Sequence, residues 1–129
     1  MRIAGVGLLG GGAVVGLAGC AAVAARDDNR FTVSMTEANR YAPSSLTIPR
    51  RGTVVWHNSG RDPHTAIADP ALARDPSHAV LPDAAEPWAS GDLYPGQGWA
   101  HTFDVPGTYV YFCRFHETEG MIGTITVTE

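Results

Sequence analysis

The sequence predicts an all-β fold, a sandwich of about seven to eight short strands. Two patterns predict it. Apolar and polar residues alternate with period two in short runs. Turn signals rich in Pro, Gly and Asp separate those runs through the roughly 100 residues that follow Arg30.

The chain opens with a segment of a different kind. Met1-Arg2 is a short positive start, and Ile3 to Val15 is an apolar, glycine-rich run of signal-peptide length. It is too short and too interrupted to make a good membrane helix. The run leads to Leu17-Ala18-Gly19-Cys20, which resembles a bacterial lipobox, whose Cys becomes the lipidated first residue of the mature protein. Ordinary cleavage after Ala22-Val23-Ala24 is the competing reading; the lipobox is favoured because it accounts for Cys20. Residues 1–19 are thus expected to be a lipoprotein signal peptide, and 20–29 the lipidated Cys20 and a short tether. Nine extended residues reach at most about 30 Å, which would keep the 30–129 domain close to a membrane surface. The expected location is outside the cytoplasm, on the outer face of the cytoplasmic membrane or in the periplasm.

From Arg30 the strands follow in order. Phe31, Val33 and Met35 alternate with Thr32, Ser34 and Thr36, a half-buried strand. Leu46-Thr-Ile48 is a second, stopped by Pro49 and turned through Arg50-Arg51-Gly52. Thr53–Asn58 is a third, with Val54 and Trp56 on one face and His57 facing solvent. Between 65 and 90 the alternation fails: four X-Pro pairs punctuate a long loop holding His78, with one helical turn expected around Ala71–Arg74. Gly98–Phe103 resumes the pattern, with Trp99, His101 and Phe103 in one parity. Pro106-Gly107 turns the chain, Thr108–Cys113 continues it, and Ile122–Thr128 closes it. Trp56 and Trp99 read as core, and Met35 belongs to the apolar face of the first strand.

Composition excludes several functions. The 129 residues, 44% apolar, make one domain able to bury its own core. A net charge of -4 and the lack of a basic cluster argue against nucleic acid, and a monomer is expected. All nine basic residues are Arg, for which the sequence offers no site-level reason. There are two cysteines. With Cys20 in or beside the leader, Cys113 is a lone thiol in an oxidising compartment, where metal ligation would protect it.

Cys113-x2-His116-x4-Met121 is the chemically distinctive run, and His64 lies upstream in Asp62-Pro63-His64-Thr65. One thiolate, two imidazoles and a thioether are the set that selects copper, as a Cys-His-His plane with a weak axial Met. Structural zinc more often takes several Cys, and an iron–sulfur cluster needs more thiolates than one. His57, His78 and His101 are not expected to bind the metal.

Three stretches carry a family resemblance: Tyr41-Ala-Pro43 followed by Leu46-Thr-Ile48; Val55-Trp-His-Asn58 leading to Pro63-His64; and Phe103-x2-Pro-Gly107-Thr-Tyr109-x-Tyr-x-Cys113-x2-His116-x3-Gly120-Met121-x-Gly123. Over nearly all of 30–129 the chain resembles the cupredoxins, in the plastocyanin-like branch of blue (type 1) copper proteins that includes halocyanins and pseudoazurins. The resemblance implies a Greek-key sandwich and one copper ion on His64, Cys113, His116 and Met121. It implies that Asn58 ties the His64 strand to the Cys113 loop by hydrogen bonds. It also implies an electron-transfer surface at His116 with Phe115, which the sequence makes acidic through Glu117 and Glu119. The function implied is a non-enzymatic electron carrier between protein redox partners. The alternative is a copper-delivery or sequestration protein without redox turnover. An oxidase or nitrite reductase would need paired-His motifs, and no H-x-H or H-C-H occurs.

Overall fold

The computed structural model describes residues 29–129; the expected leader, Cys20 and most of the tether lie outside them. One sheet is built from β1 (Arg30–Met35), β2 (Tyr41–Ala42), β4 (Thr53–Asn58) and β7 (Gly98–Thr102), in the order β2-β1-β4-β7. The other contains β3 (Ser45–Pro49), β5 (Ile67–Ala68), β6 (Trp88–Ala89), β8 (Gly107–Phe112) and β9 (Ile122–Thr128), in the order β3-β9-β8-β5-β6. The all-β sandwich expected from the sequence is what forms, with nine strands among the described residues.

Alternation decides which faces meet. Val33 and Met35 on β1, Val54 and Trp56 on β4, Tyr109 and Tyr111 on β8, and Ile125 and Val127 on β9 all point inward and are buried. Each such apolar side chain contributes about 1.5–3 kcal/mol when fully removed from water. Two pairings are parallel: β1 with β4, matching Val33 to Trp56, and β3 with β9, matching Leu46 to Ile125. Parallel neighbours require the chain to cross between sheets instead of turning back as hairpins. Trp56, Trp88, Phe103 and Tyr111 form the aromatic centre of the core. Trp88, from the middle loop, is buried; Trp99, expected in the core, packs against it while half-exposed.

The 65–90 stretch is more ordered than its sequence suggested. It carries β5 and β6 and two single 3-10 turns, Pro70–Leu72 and Pro76–His78, in place of one turn at 71–74. Each turn opens on an Asp-Pro pair. Asp69 accepts the Ala71 N–H and Asp75 the Ser77 N–H, both at 3.0 Å, while Pro at the first position has no N–H to satisfy. Ala79 is buried beside Ile67 and Phe112, and Val80 pairs with Val110. The loop is thereby fastened along β8.

Candidate metal centre

Cys113, Met121 and His64 lie at one end of the sandwich because three chain segments end or begin there. Cys113 directly follows β8, and Met121 directly precedes β9. The Cys113 N–H donates to the Met121 carbonyl at 3.1 Å, so the two residues remain paired as the ladder opens. His116 sits in the intervening turn. Its N–H donates to the Cys113 carbonyl at 3.2 Å, and its own carbonyl accepts from Glu119 at 3.0 Å and Met121 at 3.1 Å. Gly120 adopts φ +88°, a left-handed conformation that glycine takes without strain, and so reverses the chain into β9.

His64 arrives from the other sheet. After β4 the chain turns, and His64 forms a two-way bridge with Leu93, at 3.0 and 2.8 Å. Its Nε2 lies 3.2 Å from the Thr36 carbonyl. A carbonyl only accepts, so Nε2 carries the proton and Nδ1 keeps a lone pair for a metal. Burial, and then the neighbouring His116, hold the His64 pKa below the ordinary histidine value, which keeps the ring neutral.

The donor atoms converge. Cys113 Sγ is 3.8 Å from His64 Nδ1 and 3.6 Å from His116 Nδ1, and all three lie within 4.8 Å of one another. Metal bonds of about 2.0–2.3 Å set 120° apart would separate donors by about 3.5–3.8 Å, so the spacing fits one trigonally held ion. All three residues and Met121 are buried. One thiolate with two imidazoles and an adjacent thioether fits copper.

The hydrogen bonds around the donor set differ from expectation at Asn58. Asn58 is buried, but its amide donates to the Asp62 and Leu93 carbonyls at 2.8 and 2.9 Å, and its oxygen accepts the Gly60 N–H at 2.8 Å. It therefore fixes the turn before His64 and the Leu93 segment, and does not reach the Cys113 loop. Thr65 makes that link. Its N–H approaches Cys113 Sγ at 3.4 Å, and its hydroxyl accepts the Arg114 N–H at 2.9 Å. Sequence reasoning passed over Thr65; its place directly after His64 was the available signal.

At the surface, His116 is 8% exposed and Phe115 38%. Glu119 is exposed, with Asn39 donating to it at 3.3 Å. Glu117, expected beside it at the surface, instead turns inward and is only 4% exposed. Backbone and side-chain donors of residues 74–78 satisfy its carboxylate where water would otherwise be needed. The carboxylate nearest the His116 edge is Asp62, at 3.9 Å from Nε2. Arg114 pairs with Asp92 at 3.1 Å and lies over the Phe115 ring at 4.3 Å. His57 is exposed, and His101 stacks on Trp99 away from the site.

Residues 30–128 match the model of the copper binding proteins of the plastocyanin/azurin family. Plastocyanin of Scenedesmus fuscus is 40% identical over 89 residues, covering 67% of this chain and 85% of that protein. The purple cupredoxin of Nitrosopumilus maritimus superposes with a TM-score of 0.60 at 27% identity, covering 76% of this chain and 99% of the other. The Cu-containing nitrite reductase of Thermus scotoductus reaches 0.61 at 28% identity; the match covers 78% of this chain but 22% of that enzyme. Fold, donor set and relatives agree: the chain belongs to the plastocyanin/azurin family of copper-binding proteins, and its metal is copper.

Proposed function

We propose that this protein is a mononuclear blue copper electron carrier that exchanges single electrons with protein partners outside the cytoplasm. The observation that carries the reading is the buried meeting of one thiolate and two imidazole nitrogens, with the second imidazole reaching the surface. Bound copper supplies a one-electron Cu(I)/Cu(II) couple. The chain's own residues do the rest. His64 and Cys113 are held by backbone and side-chain hydrogen bonds from several segments, so the donor set keeps its shape and little reorganisation opposes transfer. His116 presents its edge beside exposed Phe115, a short apolar route for a docked partner. Asp62 and Glu119 make that rim acidic and would steer a basic partner.

Delivery of copper without redox turnover fits less well, because the ligands are buried and only three Met occur in the sequence. We assign His64, Cys113, His116 and Met121 as the ligands. Copper-loaded, oxidised protein should show an intense visible thiolate-to-copper band and the matching paramagnetic-resonance signal, both lost in Cys113→Ser. A wild-type protein that stays colourless under oxidant would refute the carrier reading. The lipobox-like run ending in Cys20 supports a lipid anchor. Equal solubility of Cys20→Ser and wild type on membrane fractionation would refute it.

A further inference from the structure

We propose that Glu117 is a positioning residue for His116: its buried carboxylate clasps the ligand loop to the Pro70–His78 segment and fixes His116 before copper arrives. The inference rests on the copper assignment of His116.

A glutamate among the four residues between His116 and Met121 would ordinarily be solvated. Here both carboxylate oxygens accept the Arg74 N–H at 3.0 Å, and one also accepts the Asp75 N–H at 3.1 Å and His78 Nδ1 at 2.9 Å. A buried carboxylate persists only where such donors replace its water. Their directions are set locally. Arg74 and Asp75 lie between the two 3-10 turns, and Asp75 caps the second of them. The segment is itself anchored, since Ala79 packs beside Ile67 and Phe112 and Val80 bridges Val110 on β8.

The chain around His116 is consequently held from both sides. Before it, the Arg114 N–H is bound by the Thr65 hydroxyl. After it, Glu117 is bound by a segment that joins the strand leading to Cys113. Copper then has little loop order to create on binding, the general advantage of preorganisation. Among the described residues no other sequence-distant group holds the loop after His116 as closely; the Asn39 contact to Glu119 is exposed and 3.3 Å long.

The test compares wild type with Glu117→Gln and His78→Ala in the full-length protein. The Gln variant keeps the length but turns an N–H2 towards the donors. Val33→Ala, a core truncation on β1, controls for lost stability alone. In copper-free protein, amide exchange over 113–121 should quicken in Glu117→Gln and, less, in His78→Ala. Copper affinity, by chelator competition, should fall about tenfold or more in Glu117→Gln, the usual scale for residues supporting a ligand. The copper resonance spectrum should broaden in the same order. Val33→Ala should show none of these local changes. Wild-type exchange and affinity in both clasp variants would overturn the inference, as would equal effects in Val33→Ala. Should Glu117→Gln fail to fold, His78→Ala decides by the same measures. A wild-type protein lacking the thiolate-to-copper band would defeat the carrier reading, while copper-free exchange would still judge the clasp.

Discussion

The backbone N–H of Thr65 points at the Cys113 sulfur across 3.4 Å, from a residue 48 positions away in sequence. The Thr65 hydroxyl simultaneously accepts the Arg114 N–H, so one residue governs both the sulfur and the chain that leaves it. Thr65→Val removes the acceptor and retains the shape. Leaving the part-buried Arg114 N–H unpaired should cost about 1–3 kcal/mol. A slackened N–H···S contact leaves more electron density on sulfur, so the reduction potential of the copper-loaded protein should fall. Denaturant unfolding and voltammetry check the two effects separately. An unchanged potential would mean that the contact does not depend on the hydroxyl.

Gly123 lies opposite Tyr111 in the β8–β9 ladder, and a methyl group there would run into the Tyr111 ring. Tyr111 is fully buried against Trp56 and Tyr41 and has nowhere to retreat. Gly123→Ala should destabilise the domain by about 1–3 kcal/mol through overpacking. A wild-type denaturation midpoint would show that the ring yields.

His101 packs against Trp88 and Trp99, with ring centroids 5.0 and 5.5 Å away. Burial pushes its pKa below the ordinary value, against an opposing pull from Asp104. The unfolded chain therefore takes up this proton at higher pH than the folded one. The ring's contribution is complete above about pH 6.5 and drains away as pH falls towards the folded value. Copper-free His101→Phe should accordingly lose less stability than wild type between about pH 7 and 5. Parallel declines in the two proteins would contradict this.

Asp62 is largely exposed and stands 3.9 Å from His116 Nε2. Asp62→Asn removes negative charge beside His116, a proposed copper ligand, and should raise the reduction potential. Solvent screening limits the change to less than about 1 kcal/mol, and added salt should shrink it further. A potential that falls, or that is insensitive to salt, would count against an electrostatic role.

Long strands were legible because one face of each is buried: Phe31, Val33 and Met35 reveal β1 by alternation alone. The proposed ligands Cys113, His116 and Met121 were legible because a soft donor set at close spacing has few other uses. Two-residue strands such as Ile67–Ala68 and Trp88–Ala89 are too short to have a period, so their region read as loop. The partners of Asn58 and Glu117 were hidden for a different reason. Asn58 bonds a carbonyl 35 positions on, and Glu117 bonds amides some 40 positions back, distances that no local pattern encodes. Adjacency to His116 suggests a surface position for Glu117, whereas the donors that draw it inward are the Arg74 and Asp75 N–H groups with His78 Nδ1, all remote in sequence.

His64 and Cys113 approach the same point from positions 49 residues apart and from segments that follow strands of opposite sheets. An ion held by both is a cross-link closing a long loop, and it resembles a disulfide in what it forbids the unfolded chain to do. This family member has no second cysteine in its described residues to form a covalent bridge. Its single metal would then serve twice, as the redox centre and as the rivet between the sheets. Chelation should loosen the sandwich as well as bleach it.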